Sequence, residues 1–332
     1  MKGWRVVLVG AVGSTERTLA GLIKHRVEVV GLAALAASRA HTVSGWRDFA
    51  PLARAHGIPL VSFEHVNSEA MLAQVRAWAP DVLLVVGLSQ LVGDALLAAA
   101  PRGSIGFHPT RLPLGRGRAP LAWLALGAAP GAATFFFMTA GADEGPVVAQ
   151  ALFDVSPGDD AAQVELRMLE AIDAALDELG PALVSGSVIG TPQDHACATW
   201  LGRRAEEDGV VDWEASAAEV LSLVRASAPP NPGALSYWRD EPVRILAAEP
   251  ATGAAARWRG VPGRVLEVDA AGTLLVQCGD APVRVTRHTG TAGKSVPTGA
   301  RLGYVADAEL ASLRRRVAEL ERLVKLYGES KP

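Results

Sequence analysis

Two short segments bring together residue types that could move a proton. The first, Gly106-Phe-His-Pro-Thr-Arg-Leu-Pro-Leu-Gly-Arg-Gly-Arg-Ala-Pro120, puts His108 directly after the apolar run Ser104 to Phe107. An imidazole titrates near pH ~6.5, which suits proton transfer at neutral pH, and the proline- and glycine-rich loop after it limits its motion. The second, Gly141-Ala-Asp-Glu-Gly-Pro146, puts Asp143 in a turn between two apolar runs, Thr134 to Met138 and Val147 to Phe153. An Asp in such a turn is often only a turn former. Beside His108, its carboxylate could fix the imidazole tautomer and stabilise the charged ring. Arg111, Arg116 and Arg118 on the first loop could grip a small anion, a role solvated loop charges would leave empty.

Other candidates are weaker. Gly10-Ala-Val-Gly-Ser14 has only part of a dinucleotide-loop spacing, and no acidic residue ends the next strand, so it reads as a tight turn. Cys197 and Cys278 are too few for a disulfide framework and lack the paired spacing of a zinc site, and no metal is expected.

The elements that must position His108 and Asp143 follow from periodicity. Trp4 to Val9, Val27 to Leu32, Asp81 to Val86 and Ser104 to Phe107 read as buried strands. Between them, Thr15 to Lys24, Asp48 to Ala55, Asn67 to Trp78 and Gly93 to Ala99 carry helical spacing. This α/β alternation predicts a mostly parallel, doubly covered sheet, with ligands outside the carboxyl ends of its strands. Asp159 to Leu183 is a long helix that closes this unit, residues 1–184. Residues 185–207, rich in Gly, Pro and charge, have neither period and read as a linker. A helix at Ser216 to Ala226 and four short strand candidates then predict a small β-barrel over 208–304. In the tail, 305–330, Leu310, Leu313, Val317, Leu320, Val324 and Tyr327 repeat at spacings of three and four. That seam either lies on its own domain or pairs two copies in a coiled coil.

At 332 residues the chain is long enough for two or three units, and with 49% hydrophobic and 20% charged residues it can bury an ordered core. No stretch of ~18 uncharged apolar residues and no signal-peptide pattern is present, so a cytoplasmic protein is expected. A formal charge of -3 offers no bulk attraction to nucleic acid.

His108 to Trp123, Thr134 to Gln150 and Glu207-Asp-Gly-Val-Val-Asp-Trp213 resemble the folate-dependent formyltransferase family, over nearly the whole chain. Pro229 to Ser236 and Arg264 to Thr286 are similar to the second domain of methionyl-tRNA formyltransferases. The resemblance implies a Rossmann-like domain that holds 10-formyltetrahydrofolate, an OB-like barrel, and catalytic roles for His108 and Asp143. It implies folate contacts at Leu88, Ser89, Gln90, Leu91, Val92, Gly141, Ala142 and Asp143. Substrate contacts are expected at Gly106, Thr110, Arg111, Arg116 and Arg118. One position departs from the family. An asparagine whose amide polarises the formyl oxygen is replaced by Gly106, and losing one such donor typically costs ~10²–10³ in rate. Gln90, or less readily Ser89, is the candidate replacement; the alternative is that Gln90 only holds its loop.

Residues 201–300 carry 11 Lys and Arg against 12 Asp and Glu, a net of -1 and poor footing for RNA. The loop Ser38 to Phe49 is similar to the shorter loop of family members that formylate amino sugars. The expected activity is therefore N-formylation of a small amine, an amino sugar or nucleotide-linked amino sugar. The alternatives are methionyl-tRNA formylation and a catalytically altered or inactive folate-binding protein.

Overall fold

A computed structural model of the chain describes residues 2–239, 241–290, 295–304 and 306–329. The chain divides into two compact units, 1–208 with 225–232, and 209–224 with 233–332.

In the first unit the strands are β1 (Arg5–Gly10), β2 (Glu28–Leu35), β3 (Leu60–Phe63), β4 (Val82–Val86), β5 (Ser104–Thr110), the two-residue β6 (Arg116–Gly117), β7 (Gly131–Phe137), β8 (Val147–Phe153) and the two-residue β9 (Trp200–Leu201). Its helices are α1 (Gly13–Lys24), α2 (Ala50–Ala55), α3 (Glu69–Trp78), α4 (Asp94–Leu97), α5 (Pro120–Ala125) and α6 (Ala161–Ser185). Seven strands form one sheet in the order β3-β2-β1-β4-β5-β7-β8. The first five run parallel and the last two antiparallel. The near-continuous Val and Leu runs of β1 and β4 are buried on both faces, as central parallel strands require. Alternate residues go to opposite cores: Val6, Leu8 and Leu84 pack with α1 and α6, and Val7, Val9 and Leu83 with Met71 and Val75 of α3. The α/β fold with a mostly parallel sheet is therefore present.

The second unit contains β10 (Ala234–Trp238), β11 (Glu241–Pro250), β12 (Val265–Val268), β13 (Leu274–Gln277) and β14 (Pro282–His288), paired antiparallel in the order β10-β11-β14-β13-β12. Val220, Leu221 and Val224 of α7 (Ala217–Ser227) pack on the apolar face of this sheet, around Trp213, whose indole donates to Ser236 Oγ at 3.0 Å. Among the described residues β12 and β10 do not pair directly in this order, but residues 299–303 bond to both sides of the opening: Val265 N donates to Ala300 O and Leu302 N to Gly263 O beside β12, and Gly303 N to Tyr237 O on β10. The chain ends in α8 (Ala306–Glu329).

One expectation changes. Residues 185–207 are not a free connector: Thr191 exchanges backbone hydrogen bonds with Val147, and β9 pairs with β6. The absence of a 2.0 or 3.6 period there reflects single-residue bridges, which leave no repeat to read.

Candidate active site

The reach of β5 sets the position of His108. The strand continues to Thr110, so His108 lies within it rather than just beyond, paired with Thr134 of β7 and 5% exposed. The loop after β5 folds back beneath the ring. Gly115 O accepts from His108 Nε2 at 2.8 Å and from Thr110 Oγ1 at 3.2 Å. The loop is pinned from within residues 185–207. Gly115 N donates to Thr199 Oγ1 at 2.8 Å, Arg116 N to Thr199 O at 2.9 Å and Arg118 N to Leu201 O at 3.1 Å. Only glycine fits at 117, where φ is +111° and a Cβ would lie 2.4 Å from Leu201 O.

Asp143 arrives from the β7–β8 turn with a left-handed backbone, φ +53°. Its Oδ2 accepts from Gly117 N at 2.9 Å and stands 3.6 Å from His108 Nδ1. This geometry changes the role expected of the carboxylate. A carbonyl can only accept, so Gly115 O holds the proton on Nε2 and thereby fixes the tautomer. Nδ1 is left as the basic nitrogen, and Asp143 faces it at ion-pair distance, placed to stabilise the imidazolium. Burial pushes the His108 pKa below its ordinary value, against the opposing pull of Asp143 and the Gly115 carbonyl. The ring is therefore a neutral base at pH 7.

The Asp143 turn is held by a residue that sequence reasoning missed. Gln193 Nε2 donates to Asp143 O at 2.8 Å and to Gly145 O at 2.7 Å. Its Oε1 accepts from Arg116 Nε at 3.2 Å and Nη2 at 2.8 Å. His195 Nδ1 lies 3.4 Å from both Arg116 Nη1 and Nη2, and the guanidinium stands over the Trp200 ring at 5.9 Å. Arg116, expected at a substrate anion, is 2% exposed with its guanidinium bonded to Gln193, and so braces the site from within. Arg111 and Arg118 are exposed. Thr110 is fully buried, its hydroxyl on Gly115 O.

The space where the family's asparagine would stand is filled. A Cβ built on Gly106 meets Phe136 Cζ at 2.9 Å and Met138 Cγ at 3.1 Å. Gln90, the candidate replacement donor, is engaged with its neighbouring loop: its Nε2 donates to Glu64 O and its Oε1 accepts from Val66 N, each at 2.8 Å. Both ends of the amide are committed to holding the loop. Elsewhere in that loop Leu88 is half-buried, Ser89 exposed, Leu91 87% exposed and Val92 in the core. In the β7–β8 turn Gly141 is half-buried and Ala142 exposed. Among the described residues no cluster of three or more His, Cys, Asp and Glu could hold a metal.

The α/β unit thus sets a buried histidine against a half-buried aspartate at the carboxyl end of β5, an interior strand of its sheet. Residues 9–178 match the family model described as formyl transferase, and residues 204–300 match formyl transferase, C-terminal domain. The chain belongs to the formyl transferase family, a family of enzymes.

Solved structures share the fold. HypX from Aquifex aeolicus in complex with tetrahydrofolic acid superposes with a TM-score of 0.62 at 18% identity, covering 86% of this chain and 44% of that one. The chain thus spans less than half the length of HypX. The N-formyltransferase from Helicobacter canadensis, in complex with folinic acid and dTDP-3-aminofucose, gives 0.59 at 12% identity, covering 87% of this chain and all of the other. Methionyl-tRNA formyltransferase from Clostridium thermocellum gives 0.52 at 13% identity, covering 75% and 94%.

Proposed function

We propose that the chain is a 10-formyltetrahydrofolate-dependent N-formyltransferase for a small amine, an amino sugar or nucleotide-linked amino sugar. The observation that carries this reading is the buried imidazole whose Nε2 is committed to Gly115 O while Nδ1 faces Asp143 at 3.6 Å. The residues present suit a flat aromatic carrier: Leu88 and Met138 are packed on one apolar cluster, beside the half-buried Gly141. The folate carrier supplies the formyl group. Nδ1 of His108 takes the proton that the attacking amine loses as its C–N bond forms, and returns it to the nitrogen that departs. Asp143 Oδ2 stabilises the ring while it is charged, and Gly117 N holds that oxygen in place.

The net charge of -1 over residues 201–300 favours a small acceptor over tRNA. The Helicobacter canadensis enzyme, crystallised with an amino-sugar nucleotide, supports the same direction. Incubation with 10-formyltetrahydrofolate and a panel of amines tests the reading. Tetrahydrofolate release only with an amine, with a formyl group gained by that amine, is the expected result. Release without an amine means hydrolysis and overturns transfer. A second reading is favoured by Gly106 alone: a folate-binding protein with altered chemistry, for which binding without release is the signature.

In the same proposal α8 joins two copies of the chain. Leu310, Leu313, Val317, Leu320 and Val324 are each at least 47% exposed, so the helix does not bury its seam on its own domain. Tyr327, the last position of the seam, also lies on α8. In a parallel pair Val317 and Val324 take a positions and Leu313 and Leu320 d positions, the two-stranded preference. Glu309 then faces Arg314 across the seam, and Arg316 faces Glu321. Light scattering should give a dimer for the full chain and a monomer after truncation at Gly303; a monomeric full chain overturns the reading.

A further inference from the structure

The loops that follow β2, β3 and β4 border an open cavity of about 620 Å³. Its wall carries the guanidinium of Arg39, the imidazole of His65 and the hydroxyls of Thr42, Ser68 and Ser89, and no Asp or Glu lines it among the described residues. The neighbouring carboxylate of Glu64, outside this lining, accepts one hydrogen bond from Ser38 Oγ at 2.7 Å. Arg39 Nε is buried and has no hydrogen-bond partner among the described residues. A buried, unsatisfied donor on a cation is costly, and an entering anion would satisfy it.

The walls are braced. Gln90 bonds to Glu64 O and Val66 N, while Asn67 donates to Leu91 O at 2.8 Å and accepts from Gly93 N at 2.7 Å. Four bonds therefore lock the loop after β3 to the loop after β4. Strand order places the end of β2 three strands from β5, about 14 Å at ~4.8 Å per strand. An extended molecule can reach from one to the other.

We infer that this cavity is an anion subsite that takes a carboxylate or phosphate of one substrate, remote from the group being transferred, with Arg39 as the anchoring residue. The inference rests on the formyl-transfer reading for its two candidate sources, a glutamyl carboxylate of the folate or a phosphate of the acceptor.

Equilibrium binding tests it without requiring turnover, so a failure of formyl transfer does not obscure the outcome. Titration calorimetry compares the wild-type chain with Arg39→Ala and the milder Arg39→Gln, each checked for an unchanged melting temperature. The probes are 5-formyltetrahydrofolate, its pteroate analogue lacking the glutamyl group, and inorganic pyrophosphate. Loss of one charge-assisted contact should weaken the anionic probe about tenfold or more. Weakened 5-formyltetrahydrofolate with the pteroate analogue unaffected assigns the subsite to the folate. Weakened pyrophosphate with both folates unaffected assigns it to the acceptor. Dissociation constants of both variants within about twofold of wild type for all three probes, or equal weakening of 5-formyltetrahydrofolate and its pteroate analogue, overturn the inference.

Discussion

Replacing Gln193 by Leu should cost both stability and turnover, and the structure sets the scale. The amide makes four hydrogen bonds, two to the carbonyls of Asp143 and Gly145 and two from the guanidinium of Arg116. Leu keeps the volume but strands two carbonyls and two N–H groups of an arginine that is 2% exposed. At about 1 kcal/mol for a neutral bond and about 1.5–3 kcal/mol for one to a charged group, the four bonds together set an expected loss of about 5–8 kcal/mol. For a domain of this size that corresponds to a fall of roughly 10–30 °C in melting temperature. The effect on rate arises separately, because the freed turn lets Asp143 drift from His108, and misplacement by about 1 Å can cost ~10²-fold. Differential scanning calorimetry and initial rates of formyl transfer read the two effects. Gln193→Glu separates them: it restores an acceptor for Arg116 but turns oxygen, not N–H, toward the two carbonyls. It should regain part of the melting temperature and little of the rate. A Leu variant that melts and turns over like wild type would refute the bracing role, as would Leu and Glu variants indistinguishable in both assays.

The pH profile carries a second prediction. With its pKa lowered by burial, His108 should remain an active base below the usual histidine range, and kcat should fall only as pH drops through that lowered value. Asp143→Asn removes the carboxylate that raises the His108 pKa, so the acid limb should move further down while kcat falls; a limb moving up contradicts the assignment. The same burial makes folding stability rise with pH between the lowered pKa and ~6.5, and part of it should be lost below that range in urea titrations. Gly106→Ala should cost about 1–3 kcal/mol by overpacking against Phe136 and Met138, and Gly106→Asn should fail to raise turnover. Thermal melts and steady-state rates check both. An aromatic disulfide reagent should modify Cys197 alone in the native protein, because Cys278 is buried and its thiol is pushed up to about 12; two reactive thiols before denaturation would contradict that.

The parallel sheet was legible in the sequence because its strands are short, apolar on both faces and separated by amphipathic helices, a pattern that each segment carries on its own. His108 and Asp143 were legible for a related reason, since each lies in a glycine- and proline-marked segment at a strand end. Their relation was not. The tautomer depends on where the Gly115 carbonyl points, which is set by the loop's hydrogen bonds to Thr199 and Leu201 more than 80 residues later in the chain. Gln193 and the burial of Arg116 escaped notice because a single polar side chain in a Gly- and Pro-rich stretch has no period, and its partners are distant in sequence. Gln90 shows the converse: its place in the chain suggested a donor, and packing committed both ends of its amide to the neighbouring loop. The sequence by itself determined which chemical groups were available and the layered sheet that carries them. Only the tertiary structure decided which of those groups have free hydrogen-bonding capacity, because that capacity depends on partners brought together by folding.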